Sequence, residues 1–176
     1  MTDRISYAIC KMVQFYSQES HVNIHDTNHF LKVWGYAMAI GKEEGLDPKT
    51  QETLELAAIA HDIACPLCRE KYGNTNGKYQ EKEGIPLTRE FYQEFDLPKE
   101  ELDRICFIVG HHHTYDLVDG IDYQIMLEAD FLVNSDESQM SIETIKNFRD
   151  KVFKTKTGIK LLNDLYYLDE ECKRTR

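Results

Sequence analysis

Ala57-Ala58-Ile59-Ala60-His61-Asp62-Ile63-Ala64 reads AAIAHDIA. Six of its eight residues are small or apolar, and an imidazole and a carboxylate sit side by side among them. A carboxylate in apolar surroundings is costly unless it is paired, protonated or bound to a cation. Read as a helix opened by Pro48 and ended or kinked at Pro66, the segment puts His61 on the face of Leu54, Ala57 and Ala58, which is an inward face.

Outward from this stretch, helical period dominates, and no segment alternates between hairpin turns as a strand would. Thr2 to roughly Ser20 carries one stripe of Ile5, Ala8, Ile9, Met12, Val13 and Tyr16. Asp26 reads as the N-cap of a helix running to about Glu44 and ending at Gly45. Tyr72 to Gln80, YGNTNGKYQ, reads as a Gly/Asn loop, followed by a helix around Gly84 to Phe95. Pro98 opens a helix that runs into His111-His112-His113, and a turn-rich connection leads to the helix DYQIMLEADFLVN. Two more helices are expected over Ser141 to Val152 and Gly158 to Glu171. The expectation is an all-α fold of about eight helices, one globular multi-helix domain over residues 1–176.

At 176 residues and 41% apolar, the chain is long enough to bury a sizeable core. Its 31 acids against 21 bases give a net charge of −10, which disfavours nucleic acid polymers and anionic membranes as partners. A small phosphorylated substrate stays open, because a bound cation can reverse the local field. No run approaches the ~18 apolar residues of a membrane span, and the N-terminus lacks the apolar region of a signal peptide. Five cysteines in no framework spacing suit reduced thiols, so a cytoplasmic location is expected. Cys65-Pro-Leu-Cys68 has no second CxxC and no βαβ context, and reads as two unrelated cysteines. Lys146, Arg149, Lys151, Lys154, Lys156 and Lys160 alternate with apolar positions as a solvated face would.

Two further polar residues share the oddity of His61 and Asp62. His29 has Val33, Tyr36, Ala37 and Ile40 at i+4, i+7, i+8 and i+11, so it faces inward. Asp130 has Met126, Leu127 and Val133 at i−4, i−3 and i+3. Taken singly, each is most simply a hydrogen-bonded core residue. Taken together, two histidines and two carboxylates with no lysine or arginine on the same faces are satisfied at once by a divalent cation. The mixed N/O set suits a first-row transition metal.

His29-Phe30-Leu31-Lys32-Val33, then Ala-Ala-x-x-His-Asp-Ile, then Glu-Ala-Asp-x-Leu on a late helix, resembles the HD-domain superfamily of metal-dependent phosphohydrolases. The resemblance covers roughly Asn23 to Ser135. It implies an all-helical fold in which His29, His61, Asp62 and Asp130 bind one metal, Mn, Fe, Ni, Co or Zn, with a second site possible. It further implies hydrolysis of a phosphate ester, a nucleotide among the candidates, by a metal-activated water. Asp62 or Glu81 would orient that water, and His112 would stabilise phosphate or protonate the leaving group. By the same resemblance His111 and His112 line the substrate pocket, while His113 reads as surface. Glu81 stands where two-metal relatives often place a histidine.

Two other functions fit the same residues. One is a two-iron oxygenase on the same fold, which needs about six ligands. The other is a non-catalytic nucleotide-binding or regulatory module with a closed metal shell.

Overall fold

Pro48, Asp47 and Pro66 set the limits of the central helix and its successor. The Asp47 carboxylate accepts hydrogen bonds from the Lys49 and Thr50 amides at 3.0 and 3.2 Å, and Pro48 occupies the first helical position. Both are favoured where backbone N–H groups have no partner inside the helix. The computed structural model describes residues 3–18 and 24–168. Among these are nine helices and no strand. They are α1 (Asp3–Ser17), α2 (Ile24–Glu43), α3 (Pro48–Ala60), α4 (Cys65–Tyr72), α5 (Gly77–Phe91), α6 (Lys99–Val109), α7 (Ile121–Glu137), α8 (Ile142–Val152) and α9 (Lys156–Tyr166). No helix among the described residues is long and apolar enough to cross a membrane.

α3 and α7 form the centre. Every α3 residue from Thr53 to Ala60 is buried, as is nearly all of α7, so both are surrounded rather than amphipathic. α2 packs across both, α1 and α6 close the other sides of α3, and α8 and α9 lie against α7. Close approach of α2 to α3 requires Gly41, where a Cβ would fall 2.4 Å from Gln51 Oε1. The Tyr92 hydroxyl, just after α5, donates to the Leu56 carbonyl of α3 at 2.7 Å.

The structure corrects four readings of the sequence. AAIAHDIA is not one helix: α3 stops at Ala60, and residues 61–64 form a tight turn. Its i→i+3 bonds run from Ile63 N to Ala60 O (3.0 Å) and from Cys65 N to Asp62 O (2.9 Å). Pro66 therefore sits in the first turn of α4 rather than ending α3. α5 begins at Gly77, not near Gly84, because Asn76 is its N-cap and accepts from the Lys78 amide at 3.1 Å. Asp26 lies inside the first turn of α2 rather than capping it, and is buried against Arg69. α9 ends at Tyr166 with Tyr167 left-handed, short of the expected Glu171, and residues 169–171 lie outside the described residues.

Candidate metal centre

Three separate elements deliver four side chains to one point. α2 supplies His29 and α7 supplies Asp130, while the turn after α3 supplies His61 and Asp62. On a continuous helix His61 and Asp62 would diverge by about 100°. In the turn, His61 Nε2 and Asp62 Oδ2 come within 3.5 Å. His29 Nε2 lies 3.2 Å from His61 Nε2, 3.4 Å from Asp62 Oδ2 and 3.3 Å from Asp130 Oδ1. His61 Nε2 is 3.6 Å from Asp130 Oδ1.

The outer nitrogens fix the chemistry of the inner ones. Carbonyl oxygens only accept, so His61 Nδ1 donates to Ala58 O at 2.8 Å, using a carbonyl left free by the end of α3. His29 Nδ1 pairs with Glu137 Oε2 at 2.8 Å, and Glu137 Oε1 accepts from Lys32 Nζ at 2.8 Å. Asn134 donates to Asp130 Oδ1 at 2.8 Å. With both Nδ1 atoms donating, the neutral rings present two Nε2 lone pairs to each other and to two carboxylates. Acceptors facing acceptors repel unless something positive lies between them. An ion about 2.1 Å from each donor sets neighbouring donors about 3.0–3.4 Å apart, close to the observed spacings. The donor set and its separations fit a divalent transition metal.

Without that ion, protons take the positive role. Burial alone would lower His29, but its bond to Asp130 and the charge of Asp62 outweigh burial and push it up to about 9. Burial would raise Asp62, yet the charges of His61, His112 and His29 hold it well below the usual carboxylate range.

A second group lies beside the first. Asp62 Oδ1 is 3.4 Å from His112 Nε2, and His113 can bring a donor atom to the same place. His112 Nδ1 donates to the free α6 carbonyl of Val109 at 2.7 Å. The Nε2 atoms of His112 and His113 are buried and have no hydrogen-bond partner. Burial, then the neighbouring His112 charge, lowers His113 to about 4, so its ring stays neutral.

A family model for the HD domain matches residues 27–145, about two thirds of the chain. The protein belongs to the HD-domain family. Within that family's pattern, the ordered His29, His61-Asp62 and Asp130 are the residues this fold gathers. A crystal structure of a predicted HD superfamily hydrolase from an uncultured Thermotogales bacterium superposes with a TM-score of 0.62. It is 19% identical, and the match covers 97% of this chain and 88% of that one. At that identity the likeness carries the fold alone. No curated protein matches the sequence significantly.

Around this HD-domain centre the other candidates fall differently. His112 is 1% exposed, is not among the residues lining the cleft, and faces Asp62. His111 turns away: its Nδ1 donates to Phe107 O at 2.7 Å and its ring stacks on Phe107 at 4.3 Å. His113, read as surface, instead lines the cleft. Glu81 does not line it; its Oε1 accepts from the His113 amide and the Thr114 hydroxyl. The cleft measures about 230 Å³, and its rim carries Asp26, Arg69, Thr75 and Gln80. A larger cleft of about 600 Å³ between α1 and α5 has no histidine in its lining. Cys65 reaches the cleft wall, where its thiol donates to Gln80 Oε1 at 3.2 Å. Burial and then the Asp62 charge push that thiol far up, the reverse of a nucleophilic cysteine.

Sequence reasoning missed Glu137, Asn134, His113 and Arg69. Two of these had a signal, since Asn134 and Glu137 stand at i+4 and i+7 from Asp130, on one helical face.

Proposed function

We propose that this protein is a metal-dependent phosphohydrolase of small phosphate esters. The observation that carries this reading is the cage at an open cleft, in which His29 Nε2 and His61 Nε2 lie 3.2 Å apart and each lies 3.3–3.6 Å from an oxygen of Asp62 and of Asp130. Bound there, a divalent cation supplies Lewis acidity and lowers the pKa of a coordinated water. Glu137 and the Ala58 carbonyl hold the two imidazoles in the ligating tautomer. Asp62 presents Oδ2 to this group and Oδ1 to His112, so it would help hold a cation in either group. Charge supports a second cation at Asp62, His112 and His113. One divalent ion only neutralises Asp62 and Asp130, whereas two leave the excess positive charge that a phosphate dianion needs.

Arg69 at the rim supplies a guanidinium suited to phosphate oxygens, at present paired with Asp26. The cleft volume, below the ~300–1,000 Å³ of drug-sized sites, favours a small monoester over a dinucleotide. The same paired groups also suit a two-iron oxygenase, because a carboxylate with an oxygen on each side is what such a centre uses as a bridge.

The test is phosphate release from a panel of small phosphomonoesters, with p-nitrophenyl phosphate and its bis ester as references, after loading with Mn²⁺, Co²⁺, Ni²⁺, Zn²⁺ or Fe²⁺. Metal-dependent release, strongest on monoesters, is expected. Oxygen consumption by the iron form with no phosphate release from any ester would overturn the hydrolase reading in favour of oxidation.

A further inference from the structure

Gly77, Glu81 and Tyr123 converge on the turn at 111–114 and lie outside the cage of His29, His61, Asp62 and Asp130. At the start of α5, the His113 ring lies against Gly77, where a Cβ would fall 2.7 Å from its Cγ and Cδ2. One helical turn on, Glu81 shares that face. Its Oε1 accepts from the His113 amide at 3.0 Å and from Thr114 Oγ1 at 2.8 Å. From the opposite side, the Tyr123 hydroxyl of α7 lies between the carbonyls of His111, at 2.5 Å, and Thr114. The turn is gripped from two helices, and what it carries is the pair of buried, unpartnered Nε2 atoms beside Asp62.

We propose that Glu81 is a positioning residue. Its carboxylate locks the turn at 111–114 so that His112 and His113 face Asp62 as a cation-binding group. This rests on the reading of that group as the second cation site. A role on the reacting atoms would need Glu81 in the cleft, which it does not line. Both bonds go to a single oxygen, so an amide carbonyl can accept them in the same geometry, losing only the charge. Glu81→Gln therefore keeps the lock, whereas Glu81→Ala removes it. Gly77→Ala displaces the His113 ring without touching the carboxylate.

The experiment compares full-length wild type, Glu81→Gln, Glu81→Ala and Gly77→Ala. The first readout is amide hydrogen exchange over 111–114 in chelator-treated protein. The second is Co²⁺ titration followed by visible absorption. Glu81→Gln is expected to keep the His113 amide protected and to hold the second Co²⁺ equivalent within about 5-fold of wild type. Glu81→Ala is expected to lose protection at His113 and to weaken the second Co²⁺ equivalent about 10- to 100-fold. Gly77→Ala is expected to weaken that equivalent while keeping the His113 amide protected.

Glu81→Gln losing Co²⁺ as fully as Glu81→Ala, with protection intact, would make Glu81 a ligand and overturn the proposal. So would full binding and protection in Glu81→Gln with turnover as low as in Glu81→Ala, which would make it a base. If wild type takes up no cation, the metal reading fails. In that case unchanged exchange in Glu81→Ala overturns the lock, and lost protection upholds it.

Discussion

Glu137 is the residue through which the cage is most directly open to measurement. Its Oε2 accepts the His29 Nδ1 proton at 2.8 Å and its Oε1 takes the Lys32 ammonium. Burial would raise its carboxyl, but the bonds from Lys32 and His29 hold it below the usual range, so it is an ionised acceptor. A hydrogen bond to an ionised partner is worth about 1.5–3 kcal/mol, against about 0.5–1.5 for a neutral one. Glu137→Ala removes the whole contact and frees the His29 ring, a loss of about 10- to 100-fold in metal affinity. Glu137→Gln keeps an acceptor and loses only the charge, about 1 kcal/mol or some 5-fold. Lys32 is half exposed, so Lys32→Gln is expected to cost less than about 1 kcal/mol. The assay is competition between chelator-treated protein and a chromophoric chelator for Zn²⁺ or Mn²⁺ at fixed pH. The predicted order is Ala far below Gln, with Gln just below wild type. A Glu137→Ala affinity within 2-fold of wild type would refute the claim that this carboxylate orients His29.

Three further outcomes are expected. Glu128 is fully buried in α7 and accepts from Gln124 Nε2, from the Lys154 and Thr155 amides and from the Thr155 hydroxyl. Glu128→Ala strands these donors, and denaturant unfolding should show a loss of about 3–5 kcal/mol. Gly158→Ala should destabilise by about 1–3 kcal/mol in the same assay, because its Cβ would fall 2.0 Å from Glu128 Oε2. Arg69→Gln should raise KM for phosphate esters about 10-fold or more, as loss of a charged hydrogen bond to an anion would, with metal content unchanged by elemental analysis.

The centre was legible where polar residues interrupt a helical apolar face. His29, His61 and Asp130 each stand among inward-facing neighbours at 3.6-residue spacing, and a period is readable from one sequence. The grip on it was not. The break after Ala60 carries no glycine or proline marker, since it is made by i→i+3 backbone bonds that AHDIA permits but does not advertise. Asn76 reads equally as loop or N-cap because asparagine serves turns and N-caps alike, so the sequence alone does not mark the start of α5 at Gly77. The orientation of His113 depends on a turn held from α5 and α7, contacts more distant in sequence than any local period can show. Arg69 has no sequence signal because its partner Asp26, which has the residue type and position of a helix cap, lies inside the cleft.

The account stands on a cation held between His29, His61, Asp62 and Asp130. The most direct test is elemental analysis of protein purified without added metal or chelator, beside an equally folded Asp62→Ala variant. About one to two equivalents of Mn, Fe, Co, Ni or Zn in wild type, lost in the variant, is the predicted result. Equal metal in both proteins would contradict it, and so would none in either even after reconstitution, which would leave the four side chains a proton-bridged core cluster.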